Sequence, residues 1–155
     1  MGAFDLARVL WHVGSDDVVF AQPRTGNYLV QAMPGRVYVG HWSATVEYLR
    51  KCDEVDWLFA ESMDRARVAF LVEQQVRYVV AGPIEGASTD WIQSATAAPG
   101  LSLVYQADGV SIFEVAEAAE RELLHFRGIG PHAAQTFDPI AVVEGRFVFE
   151  GMRTI

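Results

Sequence analysis

Apolar residues recur along this chain with two periods, and the alternation between them predicts the fold. Positions 18–45 read VVFAQPRTGNYLVQAMPGRVYVGHWSAT. VVFA and RVYVGH are short runs rich in β-branched and aromatic residues, as suits buried strands. The segment between them starts polar and turns apolar. The pattern is therefore strand, loop, short helix, strand, which is the unit of a parallel α/β sheet. Ligands of such sheets sit outside the carboxyl ends of the strands. Residues 22–27 follow the first strand and residues 41–45 the second, so both polar clusters belong to that edge.

The rest of the chain extends this pattern. Helical spacing over 3–13 ends in a Gly14-Ser15-Asp16-Asp17 loop. The first strand is placed at 18–21 and the second at 36–40. Between them Pro23 and Thr25-Gly26-Asn27 make a turn, with Thr25 or Asn27 capping a helix over 28–32. Ser43 or Thr45 then caps a helix over 46–60. Its inner stripe is expected at Val46, Leu49, Val55, Leu58 and Phe59. Ser62 opens a helix over 63–74, with Ala66, Ala69, Phe70 and Val72 inward. VRYVVA at 76–81 is a third strand. Residues 84–100 read as a loop with one helical turn near Trp91. Two further strands, 101–106 and 110–115, flank the hairpin signal Ala107-Asp108-Gly109. Residues 116–126 are helical by composition, and two short strands surround Glu144-Gly145. The expected architecture is α/β: a small, mostly parallel sheet with flanking helices and an antiparallel C-terminal hairpin. Composition shifts after Val115, so the predicted division is an α/β domain over 1–115 and an extension over 116–155.

Composition excludes several function classes. The 155 residues are 51% hydrophobic and 21% charged, enough to bury a core. The formal charge of -8 repels phosphate backbones, and the basic residues are scattered, so nucleic acid is a poor partner. Cys52 is the single cysteine, which rules out an internal disulfide and a multi-cysteine zinc site. The N-terminus lacks the basic start and apolar core of a signal peptide. No run approaches the ~20 apolar residues of a membrane span, so the chain is expected to be soluble.

Four stretches in order carry a family resemblance: DDVVFAQPRTGNYL, RVYVGHWSAT, VRYVVAGP and LSLVYQADGVSIFEV. Together they resemble the soluble C-terminal domain of bacterial multi-pass membrane glycosyltransferases, the mannosyltransferase-like proteins that use polyprenyl-phosphate sugars. The resemblance covers about residues 4–115. It implies an extracytoplasmic domain behind a transmembrane glycosyltransferase portion. The family's catalytic acidic residues lie between its first membrane helices, which this chain lacks, so no catalytic residue is carried over. The implied role is accessory and non-catalytic: positioning a lipid-linked sugar or glycan acceptor, or bracing the membrane part.

The sharpest side-chain cluster is Thr25, Gly26, Asn27, His41, Trp42 and Thr45. An indole face beside amide and imidazole groups suits a sugar, by stacking on the ring and bonding its hydroxyls. The competing reading is that His41 and Trp42 merely fasten the strand end to the next helix. Ser43 lies near His41 but no G-x-S-x-G elbow surrounds it. A small stand-alone α/β enzyme using His41 is the enzymatic alternative. The histidines show no metal-binding spacing and the glycines no phosphate cradle, so neither a metal nor a cofactor is expected. A third reading comes from LLHFRGIGPHAAQTF at 123–137, which resembles a DNA-binding helix-hairpin-helix. Asp138-Pro139 cuts its second helix short, and His132 stands where a basic residue would help.

Overall fold

The computed structural model describes Leu10, residues 13–115, and two strands at Ile140–Val143 and Arg146–Phe149. Of the helix expected over 3–13 only Leu10 and Val13 are described, and the helix over 116–126 and the glycine turn at 123–137 lie outside the described residues. The chain divides into two units, Met1–Val115 and Ala116–Ile155. In the second, β6 (Ile140–Val143) pairs antiparallel with β7 (Arg146–Phe149), with Ile140 opposite Phe149.

The first unit is a five-stranded sheet in the order β2-β1-β3-β5-β4. β1 (Val18–Phe20) runs parallel to both β2 (Arg36–Val37) and β3 (Val76–Ala81). β5 (Val110–Val115) pairs antiparallel with β3, and β4 (Leu101–Ala107) with β5. The mixed α/β architecture agrees with the hydrophobic pattern. The hairpin turn has Asp108 at φ 50° and Gly109 at φ 79°. Two successive positive angles define the tight turn whose twist matches paired strands, and Gly109 takes its angle without strain.

Period-two alternation assigns the two faces. Val19, Tyr78, Val80 and Ile112 pack with Leu29 and Met33 from the helix α1 (Pro23–Ala32) and the turn after it. Phe20, Val79 and Phe113 point the other way, into an aromatic layer. There Phe20 stacks on Tyr38 with centroids 4.8 Å apart, and Phe59 of α2 (Tyr48–Ala60) reaches Trp91 at 4.9 Å. Trp91 of α4 (Thr89–Ala97) meets Phe113 edge-on at 5.8 Å. Helix α3 (Arg65–Glu73) adds the buried Leu71 and Val72. The layering is α1, sheet, then α2 to α4.

Several boundaries differ from the sequence reading. Helix α1 begins at Pro23, not at position 28: proline's fixed φ suits the first helical position, so the expected turn is the helix's first turn. Helix α2 begins at Tyr48 behind a left-handed Glu47, and neither Ser43 nor Thr45 caps it. Val46 therefore precedes the helix, and Leu49, nine residues before Leu58, lies roughly 180° round it at ~100° per residue; they are 77% and 78% exposed. Helix α3 is capped by Asp64, not Ser62: the Asp64 carboxylate accepts from Arg67 N–H at 2.8 Å. The loop expected over 84–100 holds the nine-residue helix α4, capped by Ser88 accepting from Trp91 N–H. The second strand is also shorter than expected. Beyond Val37 only Tyr38 N–H still reaches β1, at Val19 O, 2.9 Å.

Candidate functional site

β1 connects through α1 to β2 on one side, whereas β2 connects through α2 and α3 to β3 on the other. The carboxyl ends of β1 and β3 therefore flank a topological switch point, where chains of this class diverge and leave a crevice. The predicted cluster spreads over this edge and divides in two.

Thr25 belongs to the switch point. Its hydroxyl, in the first turn of α1, donates to Glu85 Oε1 at 2.5 Å. Glu85 sits in the turn after β3, closed by Ala87 N–H on Gly82 O at 3.1 Å, and is only 4% exposed. Burial pushes its carboxyl above the usual carboxylate range, while the Thr25 bond pulls the other way. Raised in the folded state, this group contributes stability that is complete below the unfolded pKa and is lost as pH rises through the folded one. Glu85→Gln keeps an acceptor for Thr25 and removes the ionisation. We expect the melting temperature of the wild type, measured against Glu85→Gln, to fall as pH rises from the ordinary glutamate range. Parallel melting-temperature profiles would contradict the buried carboxyl.

Gly26 brings α1 against the end of the second strand. A Cβ built on it would lie 2.0 Å from Val39 O and 3.5 Å from Gly40 Cα. Asn27 lies alongside Gly40: a Cβ at Gly40 would stand 3.7 Å from Asn27 Oδ1. Gly40 N–H donates to Thr45 Oγ1 at 3.1 Å, which explains why Thr45 leaves α2 uncapped.

The second group is the turn after Gly40. Ala44 and Thr45 N–H both donate to His41 O at 3.0 Å. His41 Nδ1 accepts from Ser43 N–H at 3.3 Å and lies 2.8 Å from Ser43 Oγ. The imidazole faces the Trp42 ring with centroids 5.7 Å apart and planes 34° from parallel. Trp42 is 69% exposed, so its indole does not fasten the turn to the core. An indole combines an apolar face with an N–H donor, a combination enriched at binding surfaces.

A groove of about 540 Å³ runs beside β2, reaching His41 and Thr45 at one end and Val18 and Gln74 at the other. Tyr38, Arg36 and Lys51 also line it. Burial first, and then the Glu54 carboxylate that accepts from its hydroxyl, hold the Tyr38 phenol protonated far above its ordinary range. Glu54 is held in turn by Arg50, which reaches Glu47 at 2.6 Å. Glu85, Tyr38, Arg36 and Lys51 were absent from the sequence-predicted cluster. For Glu85 a signal existed: an acidic residue two positions after Pro83, just beyond the carboxyl end of a strand.

Among the described residues no three His, Cys, Asp or Glu side chains gather as a metal site. No helix of these residues is long and apolar enough to cross a membrane. No family model matches the chain, and no curated relative does. Among solved structures the chain is similar to the C-terminal globular domain of an oligosaccharyltransferase from Archaeoglobus fulgidus. The TM-score is 0.53 at 16% sequence identity, over 74% of this chain and 94% of that one. At that identity the likeness is one of fold: an α/β domain of the kind found as the globular part of a glycosylation enzyme.

Proposed function

We propose that residues 1–115 form a non-catalytic, extracytoplasmic accessory domain of a membrane glycosyltransferase. In this reading the domain positions a glycan acceptor or a lipid-linked sugar for a transmembrane partner. The observation that carries it is the exposed Trp42 beside His41, at the carboxyl end of a parallel strand in a fold shared with an oligosaccharyltransferase's globular domain. The indole offers an apolar face to a sugar ring, and Thr45, Asn27 and the imidazole supply polar groups around it. The extension over 116–155 stands as a separate segment in this proposal. A glycan array followed by calorimetric titration tests the binding. Trp42→Ala is expected to weaken a bound oligosaccharide about tenfold, and His41→Ala less, because stacked aromatic surface outweighs one exposed hydrogen bond. Equal affinities for the wild type and both variants would remove this site.

One observation favours a second, enzymatic reading. Ser43 Oγ and His41 Nδ1 are 2.8 Å apart, the spacing of a nucleophile and its base. An ester-hydrolysis screen with turnover abolished in both Ser43→Ala and His41→Ala would support it. Turnover no different from the His41→Ala background would discard it.

A further inference from the structure

We propose that the groove beside β2 takes an acidic glycan, an oligosaccharide bearing uronic-acid carboxylates. The proposal rests on the glycan reading above and adds the charge of the ligand.

The chain carries 20 acidic and 12 basic residues, so carboxylate partners are plentiful. Arg50, Arg67 and Arg77 each have one, at 2.6, 2.8 and 2.7 Å. The two cations that line the groove are held differently. Arg36 donates through Nη2 to Asp16 O at 2.9 Å, and Lys51 through Nζ to Tyr38 O at 3.2 Å. Lys51 Nζ also stands 4.8 Å from the centroid of the Tyr38 ring. Among the described residues neither forms an ion pair. Carbonyl and ring partners orient these cations without a paired carboxylate, and the longer-range field of Glu47 acts on Lys51. A guanidinium has five N–H donors and an ammonium three, so both retain donors for an anion.

A neutral sugar gains little from two cations that have no paired carboxylate. An ionised carboxylate gains a charge-assisted hydrogen bond from each. The groove passes from Arg36 in β2, past the bends at Tyr38 and Val39, to His41. Its volume of about 540 Å³ suits linked sugar rings better than a lone anion. At its end His41 is packed on the exposed Trp42, where a ring can stack. The juxtaposition selects a chain that has sugar faces and carboxylates together.

The test is calorimetric titration of the full chain with oligogalacturonate, with its carboxyl-reduced neutral counterpart, and with inorganic phosphate. Oligogalacturonate is expected to bind roughly tenfold more tightly than the neutral sugar. Arg36→Gln and Lys51→Gln are each expected to weaken it roughly three- to tenfold. Lys51→Arg should retain binding, which separates loss of charge from loss of the Tyr38 contact. Arg24→Gln, an exposed change outside the groove, should leave binding unaltered. Equal affinity for the acidic and neutral sugars overturns the inference and leaves the glycan reading standing. Equal losses in Arg24→Gln and Arg36→Gln also overturn it, by reducing the effect to net charge. Phosphate binding as tight as oligogalacturonate overturns it in favour of a simple anion site. Failure of both sugars to bind overturns it together with the glycan reading.

Discussion

Gly26→Ala is expected to destabilise the domain by about 1–2 kcal/mol net or more, although the substitution ordinarily stabilises a helix. Within α1 alanine should be better than glycine by roughly 0.5–1 kcal/mol, because glycine loses more backbone freedom on folding. Against that gain stands one contact. The added methyl would lie 2.0 Å from Val39 O, a backbone atom that no rotamer change can move. Relief requires separating α1 from the chain leading to Gly40, and forced rearrangements of packed elements cost ~1–3 kcal/mol and occasionally more. The two effects have opposite signs, so the sign of the result is informative. Denaturant unfolding should show a lower midpoint with an unchanged slope. A neutral or more stable variant would mean that helix and strand end do not approach this closely. The same contact keeps the first turn of α1 beside the chain leading to His41, so the variant should also disturb the proposed binding edge.

Trp91→Ala is expected to cost about 3–5 kcal/mol, the range for removing a buried aromatic ring. Trp91 is 1% exposed and lies between Phe59 and Phe113, joining α2 to the sheet. Its indole N–H also donates to Leu58 O at 2.8 Å. Leu58 lies in the last turn of α2, where carbonyls have no partner within the helix. Arg67 serves the neighbouring Trp57 O in the same way, at 3.2 Å. Side chains of α3 and α4 thus finish the helix that follows the His41 turn. Trp91→Phe keeps most of the packing and orphans Leu58 O, so it should fall between wild type and alanine, with a loss of roughly 1–3 kcal/mol. Thermal or denaturant unfolding ranks the three. A phenylalanine variant as stable as wild type would remove the hydrogen bond from the account.

The fold was legible where local chemistry and packing agree. VRYVVA, the hairpin at Asp108-Gly109 and the strand after it are continuous β-rich runs closed by turn residues, and their boundaries in the structure are close to those predicted. The site was legible only as a region. A polar cluster after a strand says which edge it occupies, not which way each side chain turns. Thr25 turns to Glu85, sixty residues away, and that pairing depends on β3 lying beside β1. Thr45 and Ser43 looked like helix caps because hydroxyls commonly cap. Tertiary geometry gave them to Gly40 N–H and His41 instead. Val46 and Leu49 were read into the helical stripe, but the helix begins two residues after Val46 and Leu49 lies on the side opposite Leu58, so both face water. Arg36 and Lys51 were invisible as a pair because they sit on different elements that meet only across the groove.

The central claim is that Trp42 presents a sugar-binding face, and the indole N–H signals of the four tryptophans test it directly. Titration of the full chain with oligogalacturonate should shift the Trp42 indole signal, assigned by its loss in Trp42→Phe, and leave the buried Trp91 signal in place. A Trp42 signal that stays fixed while the sugar binds, or binding undiminished in Trp42→Ala, would contradict the account.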